Sequence, residues 1–84
     1  SHGYYGMYDA VYEDLDDALL AMLEQHAAEG DVWTHTVVTG EEYTSRDVYN
    51  AIGRTMGKAG YRSVRWYEYL YYYGGNTYIS ILWD

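Results

Sequence analysis

Two groups of side chains carry most of the chemistry this sequence can offer: the basic Arg46, Arg54, Lys58, Arg62 and Arg65, and the tyrosines Tyr67, Tyr69, Tyr71, Tyr73 and Tyr78. Guanidinium and ammonium groups bind phosphates or carboxylates, and phenol rings beside them stack on nucleobases or pack into a protein partner. All five basic residues fall between positions 46 and 65, where only Asp47 opposes them. Residues 1–45 carry ten acidic side chains and no basic one, so the chain is electrically bipolar. The overall charge of −8 argues against a nonspecific nucleic-acid binder, because affinity for phosphate comes from Lys and Arg.

Catalysis needs a nucleophile, a base and a group to hold them, or a metal site. His2, His26 and His35 show no ligand spacing and read as satisfied core or surface histidines. Asp14, Asp16 and Asp17 lack the glycine and spaced ligands of a calcium loop. Neither a phosphate loop nor a dinucleotide fingerprint is present, and the chain has no cysteine. Glu68 falls on the apolar face of a strand, where a carboxylate needs a partner; Arg62 or a helix residue is the expected one. The reading is therefore of a protein without enzymatic activity, metal, cofactor or small-molecule substrate.

The elements that position these residues begin with residues 61–84. Two β-prone runs flank Gly74 and Gly75, which predicts a hairpin turning on Gly74-Gly75 or Gly75-Asn76. Period-two counting puts Val64, Trp66, Leu70, Ile79, Ile81 and Trp83 on a core face. Tyr61, Arg65, Tyr67, Tyr69, Tyr71, Tyr73, Tyr78, Ser80 and Leu82 share the other face, in either register. A further strand is expected at 32–38, lying against the hairpin.

Helical spacing of Val11, Leu15, Ala18, Leu19, Met22, Leu23 and His26 predicts a first helix over about 10–29, capped by Asp9 or Asp14 and ended by Gly30. Glu13, Asp16, Asp17 and Glu24 lie on its outer surface. A second helix opens at Thr44 or Ser45, buries Val48, Ala51, Ile52, Thr55, Met56 and Ala59, and ends at Gly60. Gly53 and Gly57 lie inside it on the Arg54/Lys58 side, which suggests close approach by a phosphate backbone or another helix.

Thirteen Tyr and three Trp with no Phe give nearly every ring a polar handle, suited to half-buried surfaces and interfaces. No apolar run reaches the length of a membrane span, and the expectation is a soluble cytoplasmic chain. The organisation expected is an N-terminal arm at 1–8 and one α+β domain at 9–84. In that domain two helices pack on the Trp66/Ile79/Ile81/Trp83 face of a three-stranded, mainly antiparallel sheet, in the order α-β-α-β-β.

Residues 44–83 resemble the winged-helix module at the C-terminus of phage and plasmid primase-helicase proteins, through Ser45, Ile52, Gly60, Tyr61, Arg62 and Trp83. The resemblance implies a winged-helix-like C-terminal half and a nucleic-acid-binding role for Arg46, Arg54, Lys58, Arg62 and Arg65. The sequence departs from that pattern in having one continuous helix where a helix-turn-helix has two, and Tyr71, Tyr72 and Tyr73 in place of a basic wing. The short acidic chain with an aromatic surface also looks like the class of small phage-encoded inhibitors of host defence nucleases. The leading expectation is a protein-interaction module, binding a protein partner or a second copy of itself through Tyr67, Tyr69, Tyr71, Tyr73 and Tyr78. Nucleic-acid binding through the basic residues is the alternative.

Overall fold

The computed structural model describes residues 10–30, 34–61 and 65–83. Expectations that fall on His2, residues 3–8, Asp9, Val32, Trp33, Arg62 and Val64 lie outside them. The elements are β1 (Val11–Tyr12), α1 (Leu15–Glu29), β2 (Thr34–Thr39), α2 (Ser45–Lys58), β3 (Trp66–Tyr73) and β4 (Asn76–Trp83). The strands form one mixed sheet in the order β1-β2-β4-β3, parallel between β1 and β2 and antiparallel elsewhere. Both helices lie on one face of it. The α+β class stands, with a fourth strand added to the three expected.

That fourth strand follows from where α1 begins. Asp14 has extended backbone angles (φ −104°, ψ 134°), and its carboxylate accepts from the Asp17 amide at 3.1 Å, so the helix starts at Leu15 rather than near residue 10. Val11 and Tyr12 are thereby left extended and pair with Val38 and Thr39. Val11 is exposed on the sheet and does not belong to the α1 stripe. The rest of that stripe, Leu15, Ala18, Leu19, Met22 and Leu23, is buried as the spacing predicts, and the Gly30 amide closes the helix on the His26 carbonyl.

Helix α2 begins with a capping box. The Thr44 hydroxyl accepts from the Asp47 amide at 3.1 Å, while the Asp47 carboxylate accepts from the Thr44 amide at 3.3 Å. Val48, Ala51, Ile52, Thr55 and Met56 turn inward, but Ala59 caps the C-terminus and is exposed, so it adds nothing to the core.

Strand β4 bonds to a neighbour on both edges. Its Thr77, Ile79, Ile81 and Trp83 are buried, level with Thr39, Val37 and His35 of β2 and with Leu70 and Trp66 of β3. Fully burying an aliphatic side chain stabilises a fold by about 1.5–3 kcal/mol. Ile79, Ile81, Leu19, Met22 and Ile52 form the centre of that layer. Tyr61 departs from the strand parity expected of it: β3 starts only at Trp66, and the Tyr61 ring packs toward the core, 6.1 Å from Trp83. The hairpin turns on Gly74 and Gly75, both at positive φ (61° and 83°), as a type I′ turn requires.

Buried threonines hold the 40–44 loop to the sheet. Thr39 and Thr77 both donate to the Glu41 carbonyl, at 2.7 and 2.8 Å, and Thr77 accepts from the Tyr43 amide at 2.9 Å. Thr77→Val keeps the shape of the side chain but strands the Tyr43 amide and removes a donor from Glu41. The expected cost in denaturant melts is about 1–3 kcal/mol. No loss would mean that the loop is not held there.

A Cβ added at Gly53 or Gly57 meets nothing within 4 Å, and neither glycine has positive φ. Both are exposed within α2. The double substitution Gly53→Ala/Gly57→Ala is therefore expected to raise stability by about 0.4–1 kcal/mol per site. A destabilised variant would overturn this account of α2.

Candidate functional site

The expected tyrosine face exists, and its open part belongs to β3. Alternation along that strand points Tyr67, Tyr69, Tyr71 and Tyr73 away from the helices, and they are 52%, 64%, 61% and 68% exposed. Tyr78 of β4 lies opposite Tyr71, with the ring centroids 5.5 Å apart and tilted by 60°, and it is only half exposed. Further across the sheet the same face closes. Thr36 meets the Ser80 hydroxyl at 2.9 Å, and Val38, level with Val11 on one side and Tyr78 on the other, is 2% exposed.

The opposite side of β3 is also incompletely covered. Trp66, Glu68 and Leu70 are half-buried there, and Tyr72 is exposed, with its hydroxyl donating to the Tyr43 carbonyl at 2.8 Å. Glu68 accepts a hydrogen bond from the Trp66 indole N–H at 3.1 Å, a neighbour on its own strand; the expected pairing with Arg62 lies outside the described residues. Tyr49 of α2 leans on Trp66, ring to ring at 5.6 Å. Between α2 and β3 runs an open groove of about 530 Å³ lined by Ser45, Arg46, Tyr49, Asn50 and Glu68. Tyr49 carries no signal in the sequence because it lies off the inner stripe of α2, and Tyr72, noted only in place of a basic wing, falls in neither hairpin face list.

The basic residues are differently disposed. Arg54 turns toward α1, its Nη2 and Nε donating to the two carboxylate oxygens of Asp16 at 2.8 and 3.4 Å. The bipolar charge thus joins α1 to α2 within one chain. Arg46 lines the groove beside β3, Lys58 is exposed in the last turn of α2, and Arg65 is exposed just before β3. Helix α2 thus holds Arg54 against Asp16 of α1 and Arg46 in the groove beside β3.

A cleft of about 410 Å³ opens between the N-terminal ends of α1 and α2, near Asp14, Asp16, Tyr43, Asp47, Asn50 and Arg54. Helix N-termini attract anions. Here Asp14 already accepts from the Asp17 amide of α1 and the Thr44 hydroxyl from the Asp47 amide of α2, and Arg54 is paired with Asp16. The Tyr43 hydroxyl at the same place is held above its ordinary value of 10.0, first by burial and then by the charge of Glu41 and Asp14.

Two histidines that sequence spacing left unrelated meet under α1. His26 Nδ1 lies 3.1 Å from His35 Nε2, and the His26 ring stacks on Trp83 at 4.3 Å. One ring nitrogen must donate and the other accept, so the pair works as a packing contact between α1 and the sheet. Among the described residues no group of three or more His, Cys, Asp or Glu is placed to hold a metal ion, and no helix is long and apolar enough to cross a membrane. No family model, curated protein or solved structure matches the chain.

The Arg54 hydrogen bond, reinforced by the charges of Arg54 and Lys58 and opposed by partial burial, holds the Asp16 carboxyl below its ordinary value of 3.8. A carboxyl whose pKa is depressed by folding stabilises the protein above its unfolded value and stops doing so as pH falls through the folded value. Both side chains are partly in water, so the contribution is small and falls with salt. Asp16→Asn is expected to lower thermal stability slightly at pH 7, and to make no difference once the pH is well below 3.8. An equal loss at both pH values would show that the ion pair is not its cause.

Proposed function

We propose that the protein is a small binding module, without catalytic activity, that engages a protein partner through the β3 side of its sheet. The observation that carries this reading is the row of Tyr67, Tyr69, Tyr71 and Tyr73 on alternate positions of one strand, each more than half exposed. Together the rings offer an apolar patch of a few hundred Å², the size at which an exposed surface on a small protein usually has a use. A tyrosine carries large contact area at low rotamer cost and ends in a hydroxyl that bonds to a partner's backbone or to water. The rings stand on a strand hydrogen-bonded to β4 along its whole length, so they are presented without the cost of ordering a loop.

The basic residues support this reading better than a phosphate-binding one. Arg54 is committed to Asp16, and the acidic Asp17, Glu24, Glu29, Glu41 and Glu42 are all exposed. Phosphate contacts release counterions, so binding that depended on them would weaken steeply as salt rises. A tyrosine interface would not.

Replacing Tyr69 and Tyr71 together by Ser tests the proposal. Neither ring belongs to the buried core, so the double variant is expected to keep its circular dichroism and to lose no more than about 1–2 kcal/mol, from the Tyr71–Tyr78 contact and strand propensity. Partner capture by the parent in nuclease-treated extracts should be lost in the variant. If the variant unfolds, the rings are part of the core; if capture persists unchanged, the contact surface lies elsewhere.

A further inference from the structure

Strand β3 ends the sheet. In the order β1-β2-β4-β3 its outer edge has no partner among the described strands. It runs for eight residues, Trp66 to Tyr73, in unbroken register with β4. Soluble proteins protect such an edge with lysines, proline, bulges or short length, because its free N–H and C=O groups are a template for another strand. Here the run WYEYLYYY has none of these. Its one charged side chain, Glu68, accepts the Trp66 indole N–H and lies on the helix side. We propose that the β3 edge pairs, antiparallel and about a two-fold axis, with β3 of a second copy of this chain, joining the two sheets into one of eight strands. The inference rests on the reading of β3 as a contact strand and names its partner.

The backbone selects the register. A two-residue loop closes on a pair that exchanges both ladder bonds, so Tyr73, Tyr71, Tyr69 and Tyr67 spend their amides and carbonyls on β4. Trp66, Glu68, Leu70 and Tyr72 then direct theirs outward. A two-fold pairing that uses all four sets Trp66 opposite Tyr72 of the second copy and Glu68 opposite its Leu70, with the axis at Tyr69. Shifting by two residues in one direction sets Glu68 against Glu68, a like-charge pair; shifting in the other leaves Trp66 without a partner.

With the axis at Tyr69, Tyr69 meets Tyr69 and Tyr67 meets Tyr71 at the non-hydrogen-bonded positions. There opposed Cα atoms are only about 4.5 Å apart and side chains pack most closely. The occupant that fits this edge is a strand with aromatic residues on both faces and at most one charge, since β3 is incompletely covered on both faces. β3 is itself such a strand. Its exposed rings, with Trp66, Leu70 and Tyr72, offer roughly 500 Å² per copy by the area an aromatic side chain carries. A pair then approaches the roughly 1,000 Å² of a specific interface. The opposing term is repulsion between two chains of charge −8, which salt screens, so pairing should tighten as ionic strength rises.

The experiment combines sedimentation with residue-resolved amide exchange on the intact chain. At high concentration the expected species is a dimer of roughly twice 9.8 kDa, and the outward amides of Glu68, Leu70 and Tyr72 exchange more than about tenfold slower than in dilute protein. Tyr69→Lys sets two ammonium groups across the axis and should weaken the dimer by about a hundredfold or more. Tyr69→Phe should retain it. A monomer at every concentration overturns the inference, as does a dimer whose outward amides stay unprotected, since that would be a stack of tyrosine faces and not a shared sheet. The broader reading stands or falls separately, on whether Tyr69→Ser/Tyr71→Ser loses its partner.

Discussion

The alternation of β4 is the constraint on which the rest of the structure depends. It is hydrogen-bonded to β2 on one edge and to β3 on the other, and its Thr77, Ile79, Ile81 and Trp83 are all buried beneath the helices. A slip of one residue would put Tyr78, Ser80 and Leu82 in their place and expose the isoleucines, so the buried face fixes the register of both neighbours. Thr77 extends that control beyond the sheet by holding the loop that leads into α2. His26 stacking on Trp83 ties α1 to the other end of the same strand.

A protein that centres its helices over β2 and β4 leaves β3 overhanging. The burial pattern records this: β4 alternates between buried and half-buried residues, whereas β3 alternates between half-buried and exposed ones. Hydrogen bonding to β4 and the Gly74-Gly75 turn keep the overhang ordered, so the strand is firmly held and yet poorly covered. Firm support with incomplete cover is what a preformed contact surface requires. The ion pair between Asp16 and Arg54 belongs to the scaffold side of this division, since it joins the two helices to each other.

Much of this was legible in the sequence because periodicity reports which face is buried. The stripes of α1 and α2, the hairpin and its tyrosine face follow from spacing and turn chemistry, and each helix cap from a choice of two, Asp9 or Asp14 and Thr44 or Ser45, of which the structure takes Asp14 and Thr44. Strand β1 was not legible: two residues have no period, and Val11 happens to continue a helical spacing whose start is set by the Asp14 cap. Tyr61 was misplaced because parity was carried past the point where the strand begins. Tertiary pairings had no local signal at all. The meeting of His26 with His35, the indole that satisfies Glu68, and the choice of Asp16 as partner for Arg54 all depend on how α1 and α2 sit on the sheet. The bipolar charge was visible in one dimension, but its use within the chain was not.

Hydroxyl-radical footprinting of the tyrosines, read in dilute and in concentrated protein, tests the central claim most directly. The account predicts that Tyr67, Tyr69 and Tyr71 are oxidised fast in dilute protein and slow down markedly on concentration, while the half-buried Tyr12 and Tyr43 stay slow throughout. If the β3 rings are already slow when dilute, β3 is not an open surface; if their rates do not change with concentration, β3 does not pair with a second copy.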